Sequence, residues 1–308
     1  MPSMLVLRLA GAIPDIAPRW LLGAASAICE PSAAEALTQA RPFSVAAVVP
    51  VAVEDTRPEI PQAGNAPVQP DADRGGAGQR NTDRSEVPRA VLGASWRLGW
   101  LDDDALPPGW PPAEARFGSQ VRTVLGAELR RRSYAELAQG TPARHARLTM
   151  TTPTFFARDG RDLPLPDPAL VIRGLLARWN SYAPGPLRIG ADDARALVDA
   201  VYLDGMWGAS ADVELGHGLR QTGFVGQADL RLLAATSDYI ATMFTALTRF
   251  AAYAGVGART AYGFGAVDVD VVEVPVPRRP APAANGPRRA GTLTPTRPPR
   301  LTAWGPLD

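Results

Sequence analysis

"SDYIATMFTALTRFAAYAGVGARTAYGFGAVDVDVVEV", residues 237–274, reads as a helix, a glycine-rich turn and a strand in unbroken succession. Ile240, Met243, Phe244, Leu247, Phe250 and Ala251 recur at helical spacing and give the helix one apolar face. Gly255 suits the helix C-cap, and the alternation over 261–274 predicts a strand. Between the two, residues 255–265 carry four glycines together with Arg259, Thr260, Tyr262 and Phe264. Glycine reaches positive φ and lets a backbone come close to a ligand. Successive N–H groups make an anion-binding nest, and a guanidinium adds a bidentate phosphate contact. A large anion pressed against the main chain is one reading. A turn that serves only close packing of helix on sheet is the other.

Outward from this stretch, the chain divides into two similar halves. In the first, strands are predicted at 4–9, 41–51 and 90–101, and a helix at 17–28 with Pro18 in its first turn. Phe117, Val121, Val124, Leu125 and Leu129 stand at helical spacing and predict a second helix. Arg130, Arg131 and Arg132 would sit at its C-terminal end, where the macrodipole favours cations. A strand at 145–157 closes this half. The second half opens with a helix whose N-cap is Asp167 and whose first residue is Pro168. Short strands follow around 201–218 and 222–233, then the helix and strand already described. Each half thus runs strand, helix, strand, strand, helix, strand, the ferredoxin-like βαββαβ order. The expected fold is α+β, with tandem ferredoxin-like (RRM-like) domains at 1–158 and 159–274. Residues 54–89 and 275–308 are rich in Pro, Gly and charge and poor in large apolar residues, so disorder is expected for both. The tail holds six arginines and one acid.

Composition narrows the function classes. The chain has 308 residues, 46% of them apolar, enough for a sizeable core. No apolar run approaches the ~20 residues of a membrane span, so no membrane partner and a cytoplasmic location are expected. One cysteine and two histidines leave no disulfide and no metal cluster to expect, and no cofactor motif appears. The net charge is only +1, yet all 32 cationic residues are arginine. Every cation is therefore a planar fork suited to phosphate and to stacking on bases.

The stretch "LTRFAAYAGVGARTAYGFGAV" resembles the C-terminal signature of the Cas6 family, the CRISPR RNA-processing endoribonucleases. Gly255, Gly257, Thr260, Gly263 and Gly265 stand at the positions of its G-x-G-x-x-T-x-x-G-x-G loop. "TMTTPTFFARDGRDLPLPDPALVIRGLLARWNSYAP", "TGFVGQADL" and "RPFSVAAV" are similar to other stretches of that family, in the same order. The resemblance implies that residues 255–265 lie against the phosphate backbone of CRISPR repeat RNA. It also implies precursor crRNA as partner, other CRISPR effector subunits as further partners, and cleavage without metal. In that chemistry a 2′-OH attacks the adjacent phosphorus, leaving a 2′,3′-cyclic phosphate and a 5′-OH end.

Such a reaction needs a base, an acid and cations for the phosphorane. Many family members place a histidine just before the "RPFSV" strand. This chain reads "SAAEALTQARPFSV" there, with Thr38 at the histidine's position, and threonine is no general base at neutral pH. The candidates for the chemistry are Arg41, His145 and His217, with Tyr134 and Tyr253 as hydrogen-bond donors. Arg130 and Arg131 are candidates for backbone contacts alongside the loop. The loss of the histidine keeps a second reading open, a non-catalytic repeat-RNA-binding or scaffold subunit.

Overall fold

The computed structural model describes residues 1–11, 16–30, 41–53, 91–103, 105–216 and 218–272, and Met1–Val274 form one compact unit. The predicted disorder of 54–89 and 275–308 falls outside the described residues. In chain order the elements are β1 (Ser3–Ala10), α1 (Pro18–Cys29), β2 (Phe43–Val45), β3 (Val49–Val53) and β4 (Val91–Trp100). Then come β5 (Glu114–Phe117), β6 (Gln120–Arg131), α2 (Tyr134–Ala138), β7 (His145–Thr154), β8 (Phe156–Arg158) and β9 (Arg161–Leu163). The rest is α3 (Pro168–Tyr182), α4 (Ala191–Ala200), β10 (Val201–Gly216), β11 (Leu219–Leu232), α5 (Asp238–Ala254) and β12 (Val267–Val272). No described helix is long and apolar enough to cross a membrane.

Two antiparallel sheets organise the α+β fold. The first runs β2-β4-β1-β6-β5, with β3 also on β4. Leu5, Leu7 and Leu9 of β1 alternate inward, as the period of two demands, and meet Leu21, Ala25 and Ile28 of α1. The second runs β10-β11-β7-β12. Counted from β7, that is a complete βαββαβ unit in the ferredoxin-like strand order. Asp167 caps α3 by accepting from the N–H of Leu170, with Pro168 following as expected. Tyr134, Trp179 and Phe250 pack edge to face or tilted at the centre of the core under this sheet.

Two sequence expectations are corrected. The helix expected over Phe117–Leu129 is instead the β5–β6 hairpin, turning at Gly118 (φ +63°). Its apolar residues do not share a face: Val124 packs against the core while Leu125 is half exposed. Arg130 and Arg131 therefore end a strand, paired across from Met4 and Ser3, and the helix-dipole argument for them lapses. The strand at His145, expected to close the first half, opens the second sheet. Ladders to β11 on one side and β12 on the other fix it there, and Ala146, Leu148 and Met150 face the core beneath α3 and α5. Helix α4 is an addition, and the strands expected at 201–218 and 222–233 are one long hairpin.

The second sheet holds an ion pair with a clear pH signature. Arg147 Nε and Nη2 donate to the two carboxylate oxygens of Asp229 on the neighbouring strand, at 2.8 and 3.1 Å. That fork holds the Asp229 carboxyl below the usual carboxylate range, against the opposing effect of burial. A carboxyl lowered on folding stabilises above its unfolded pKa and loses that contribution as pH falls through its folded one. The melting temperature of Asp229→Asn is thus expected below wild type at pH 7 and convergent with it in acid. A constant gap across pH would deny the pair this role.

Candidate functional site

The glycine loop begins where α5 ends. Gly255 sits at φ +70° and ψ 176°, a conformation open to glycine, and its N–H closes the helix on Ala251 O. Ala258 N–H donates to Phe155 O and Gly265 N–H to Pro153 O, which docks the loop on the end of β7. Val256 N–H donates to Gly265 O and closes the loop on itself. Side chains are excluded at these points. A Cβ at Gly257 would stand 2.4 Å from Phe155 O, and one at Gly265 1.9 Å from Val256 O. The packing reading of the glycines is therefore real, whatever the loop binds.

The loop side chains divide by exposure. Phe264 is 2% exposed and meets Phe155 edge to face, so it anchors the turn and offers no stacking surface. Thr260 is buried as well, its methyl packed between Gly255 and Gly265. Arg259 and Tyr262 face solvent, on a short 3-10 turn over Thr260–Tyr262. Arg259 takes the left-handed conformation (φ +55°), with its guanidinium 5.9 Å from the Phe155 ring. The turn packs on α1 and β2: Gly263 lies against Leu21, and Ala261 joins the core under the first sheet. The loop thereby touches elements of both sheets.

Beneath it lies a joint that no sequence motif marks. Arg178 of α3 donates through Nη1 to Ala254 O and to Thr260 Oγ1 at 2.5 Å, and through Nη2 to Phe43 O at 3.2 Å. Burial pushes its guanidinium down to about 10, still cationic at neutral pH. Ser44 Oγ–H adds a bond to Tyr253 O at 2.6 Å. Next to the joint, a cleft of about 260 Å³ opens between the sheets, lined by Val6, Ser95, Arg97, Thr151 and Asp268 among others. Arg97 and Asp268 pair across it at 2.6 Å.

The catalytic candidates are dispersed. Arg41 donates to Glu30 at 2.7 Å and to Ser26 Oγ at 2.9 Å, so its charge is already compensated. His145 and Thr154 stand at opposite ends of β7, about 30 Å apart at ~3.3 Å per residue. The loop docks at the Thr154 end, so His145 cannot serve a phosphate held there. Its nearest charged partner is Asp229, 3.8 Å away. Tyr134 and Tyr253 are buried core residues, the Tyr134 hydroxyl donating to Leu101 O. Thr38 and His217 lie outside the described residues.

Comparison with known proteins gives this geometry a context. Residues 148–267 match the family model of the CRISPR-associated endoribonuclease Cas6. No curated protein matches the sequence. Among solved structures, Thermus thermophilus Cas6 is 25% identical, with a TM-score of 0.59 over 87% of this chain and 98% of that one. A Cas6 product complex is 24% identical, with a TM-score of 0.63 over 87% and 99%. A Cas6 substrate mimic complex is 24% identical, with a TM-score of 0.62 over the same shares. The family pattern thus covers β7 through the glycine loop to the start of β12, and the likeness in fold takes in the first sheet too. The chain is thus similar to the Cas6 endoribonucleases in sequence over 148–267 and in fold over most of its length.

Proposed function

We propose that this protein processes CRISPR repeat RNA as an endoribonuclease, cutting without metal by attack of a 2′-OH on the neighbouring phosphorus. The observation that carries the reading is the loop over 255–265: a family-matched turn that exposes Arg259 and Tyr262 and buries Val256, Thr260, Ala261 and Phe264. Arg259 binds the scissile or an adjacent phosphate through its fork and stabilises the added charge of the phosphorane. Tyr262 contacts the sugar or base beside it, while Gly255, Gly257, Gly263 and Gly265 let the loop fold tightly enough to present both side chains. In the step itself the 2′-oxygen bonds to phosphorus as its proton leaves. The bond to the 5′-oxygen breaks, and that oxygen takes up a proton. The products are a 2′,3′-cyclic phosphate and a 5′-OH.

Arg41 borders the segment that carries Thr38 and supplies charge to the reaction by exchanging Glu30 for phosphate. Arg130 and Arg131, exposed at the end of β6, add salt-sensitive backbone contacts. A second reading, a subunit that binds repeat RNA without cutting, is favoured by Thr38 and by the position of His145 at the far end of β7. In either reading the partner is CRISPR repeat RNA, and larger CRISPR complexes are the natural destination of the product.

The two readings separate in one assay. The purified protein is incubated in EDTA with labelled RNA spanning one repeat of the CRISPR array in its genome, and the product ends are analysed. One cut leaving a cyclic phosphate is the expected result. Intact RNA held tightly, with affinity falling steeply as salt rises, establishes the binding subunit instead. RNA neither bound nor cut overturns both.

A further inference from the structure

Arg178 is a cation placed where few proteins keep one. It reaches from α3 into the joint beneath the glycine loop and ties together three elements far apart in sequence. Its acceptors are Ala254 O at the end of α5, Thr260 Oγ1 in the loop and Phe43 O at the start of β2. Among the described residues no carboxylate forms an ion pair with it. Its compensation comes from neutral oxygens and from the C-terminal end of α5, where unpaired carbonyls present partial negative charge. Three acceptors shared between two nitrogens suit the fork of a planar guanidinium.

Thr260 transmits this arrangement. Its hydroxyl accepts from Arg178, while its methyl fills the gap between Gly255 and Gly265, the two points where the loop closes. Arg259 precedes it directly, as the left-handed N-cap of the 3-10 turn, and its side chain makes no capping hydrogen bond. The direction in which Arg259 leaves the loop thus depends on Ala258, tied to Phe155 O on one side, and on Thr260, tied to Arg178 on the other.

We propose that Arg178 is a positioning residue for RNA binding, fixing Thr260 so that Arg259 is presented to phosphate. The inference rests on the repeat-RNA reading given above. Arg178 does not itself touch the RNA in this scheme; it removes the entropy cost of ordering the loop when RNA arrives.

The test is a double-mutant cycle on affinity for the same repeat RNA. Arg178→Met, Arg259→Ala and the double variant are compared with wild type, with thermal melts alongside. Arg178→Met is expected to weaken binding about tenfold, and the double variant to bind as Arg259→Ala alone does, because both changes remove one contact. Thr260→Val keeps the shape of the side chain without its oxygen and should show the same coupling to Arg259→Ala, which serves if Arg178→Met does not fold. Thr260→Ser, which restores the acceptor, should bind close to wild type. Additive losses in the cycle, or wild-type affinity in both Arg178→Met and Thr260→Val, overturn the inference while leaving the repeat-RNA reading in place. Failure of the wild-type protein to bind the RNA removes that reading and this inference with it.

Discussion

Gly265→Ala is expected to cost about 2–5 kcal/mol of folding stability, measured by urea denaturation. Two effects add. The residue sits at φ +68°, where an L side chain is strained. Its new Cβ would also stand 1.9 Å from Val256 O and 3.0 Å from Val256 C, far inside contact distance. Backbone atoms cannot rotate away as a side chain would. The loop must open, and the Val256 N–H to Gly265 O and Gly265 N–H to Pro153 O bonds go with it. Gly174 provides the internal contrast. It lies on the exposed face of α3, with nothing within 4 Å of an added Cβ and no positive φ. Gly174→Ala should therefore stabilise, by about 0.5–1 kcal/mol, because alanine loses less backbone freedom in a helix. Equal effects at the two positions would mean that the loop tolerates rearrangement, and the packing account of its glycines would fail.

The same loop shows what a sequence can and cannot convey. The helix Asp238–Ala254 and the anchoring of α3 by Asp167 and Pro168 were legible because each is coded locally, by period and by cap. The β5–β6 hairpin was not. Val121, Val124, Leu125 and Leu129 satisfy a helical period, but the sheet half buries Val124 and exposes Leu125, so only the tertiary pairing with β1 selects the strand. The Gly118–Ser119 pair between Phe117 and Gln120 was the available signal, a two-residue hairpin turn with glycine at positive φ. The place of β7 was hidden for a different reason. Sheet membership depends on partners 70 or more residues away, among them Asp229 across from Arg147. Within the site, the loop and the exposed Arg259 could be read from the chain. The choice for Phe264 between stacking on RNA and anchoring the turn, and the role of Arg178 as a tie, could not, since both are set by what folds around them.

Exposure makes Arg259 the cleanest position at which to separate binding from folding. Replacing it with alanine removes the guanidinium fork but leaves a non-glycine residue at φ +55°. Arg259→Gly removes the fork and relaxes that strain at once. The cation–π contact to Phe155, worth about 0.5–1 kcal/mol at an exposed site, is lost in exchange. Its stability is accordingly expected to match wild type within about 1 kcal/mol. RNA affinity should still fall about 10–100-fold, the value of one charge-assisted bidentate contact. The dependence of affinity on salt carries the sharper information. Each phosphate neutralised releases condensed counterions, so losing one contact should reduce the log–log slope by about 0.7–0.9. A drop in affinity with an unchanged slope would place Arg259 on a base or sugar instead of a phosphate. Unchanged affinity would confine the loop to its packing role, and the search for the RNA surface would move to the arginines of β6. Either result is readable because the folded protein, on this argument, is the same in both variants.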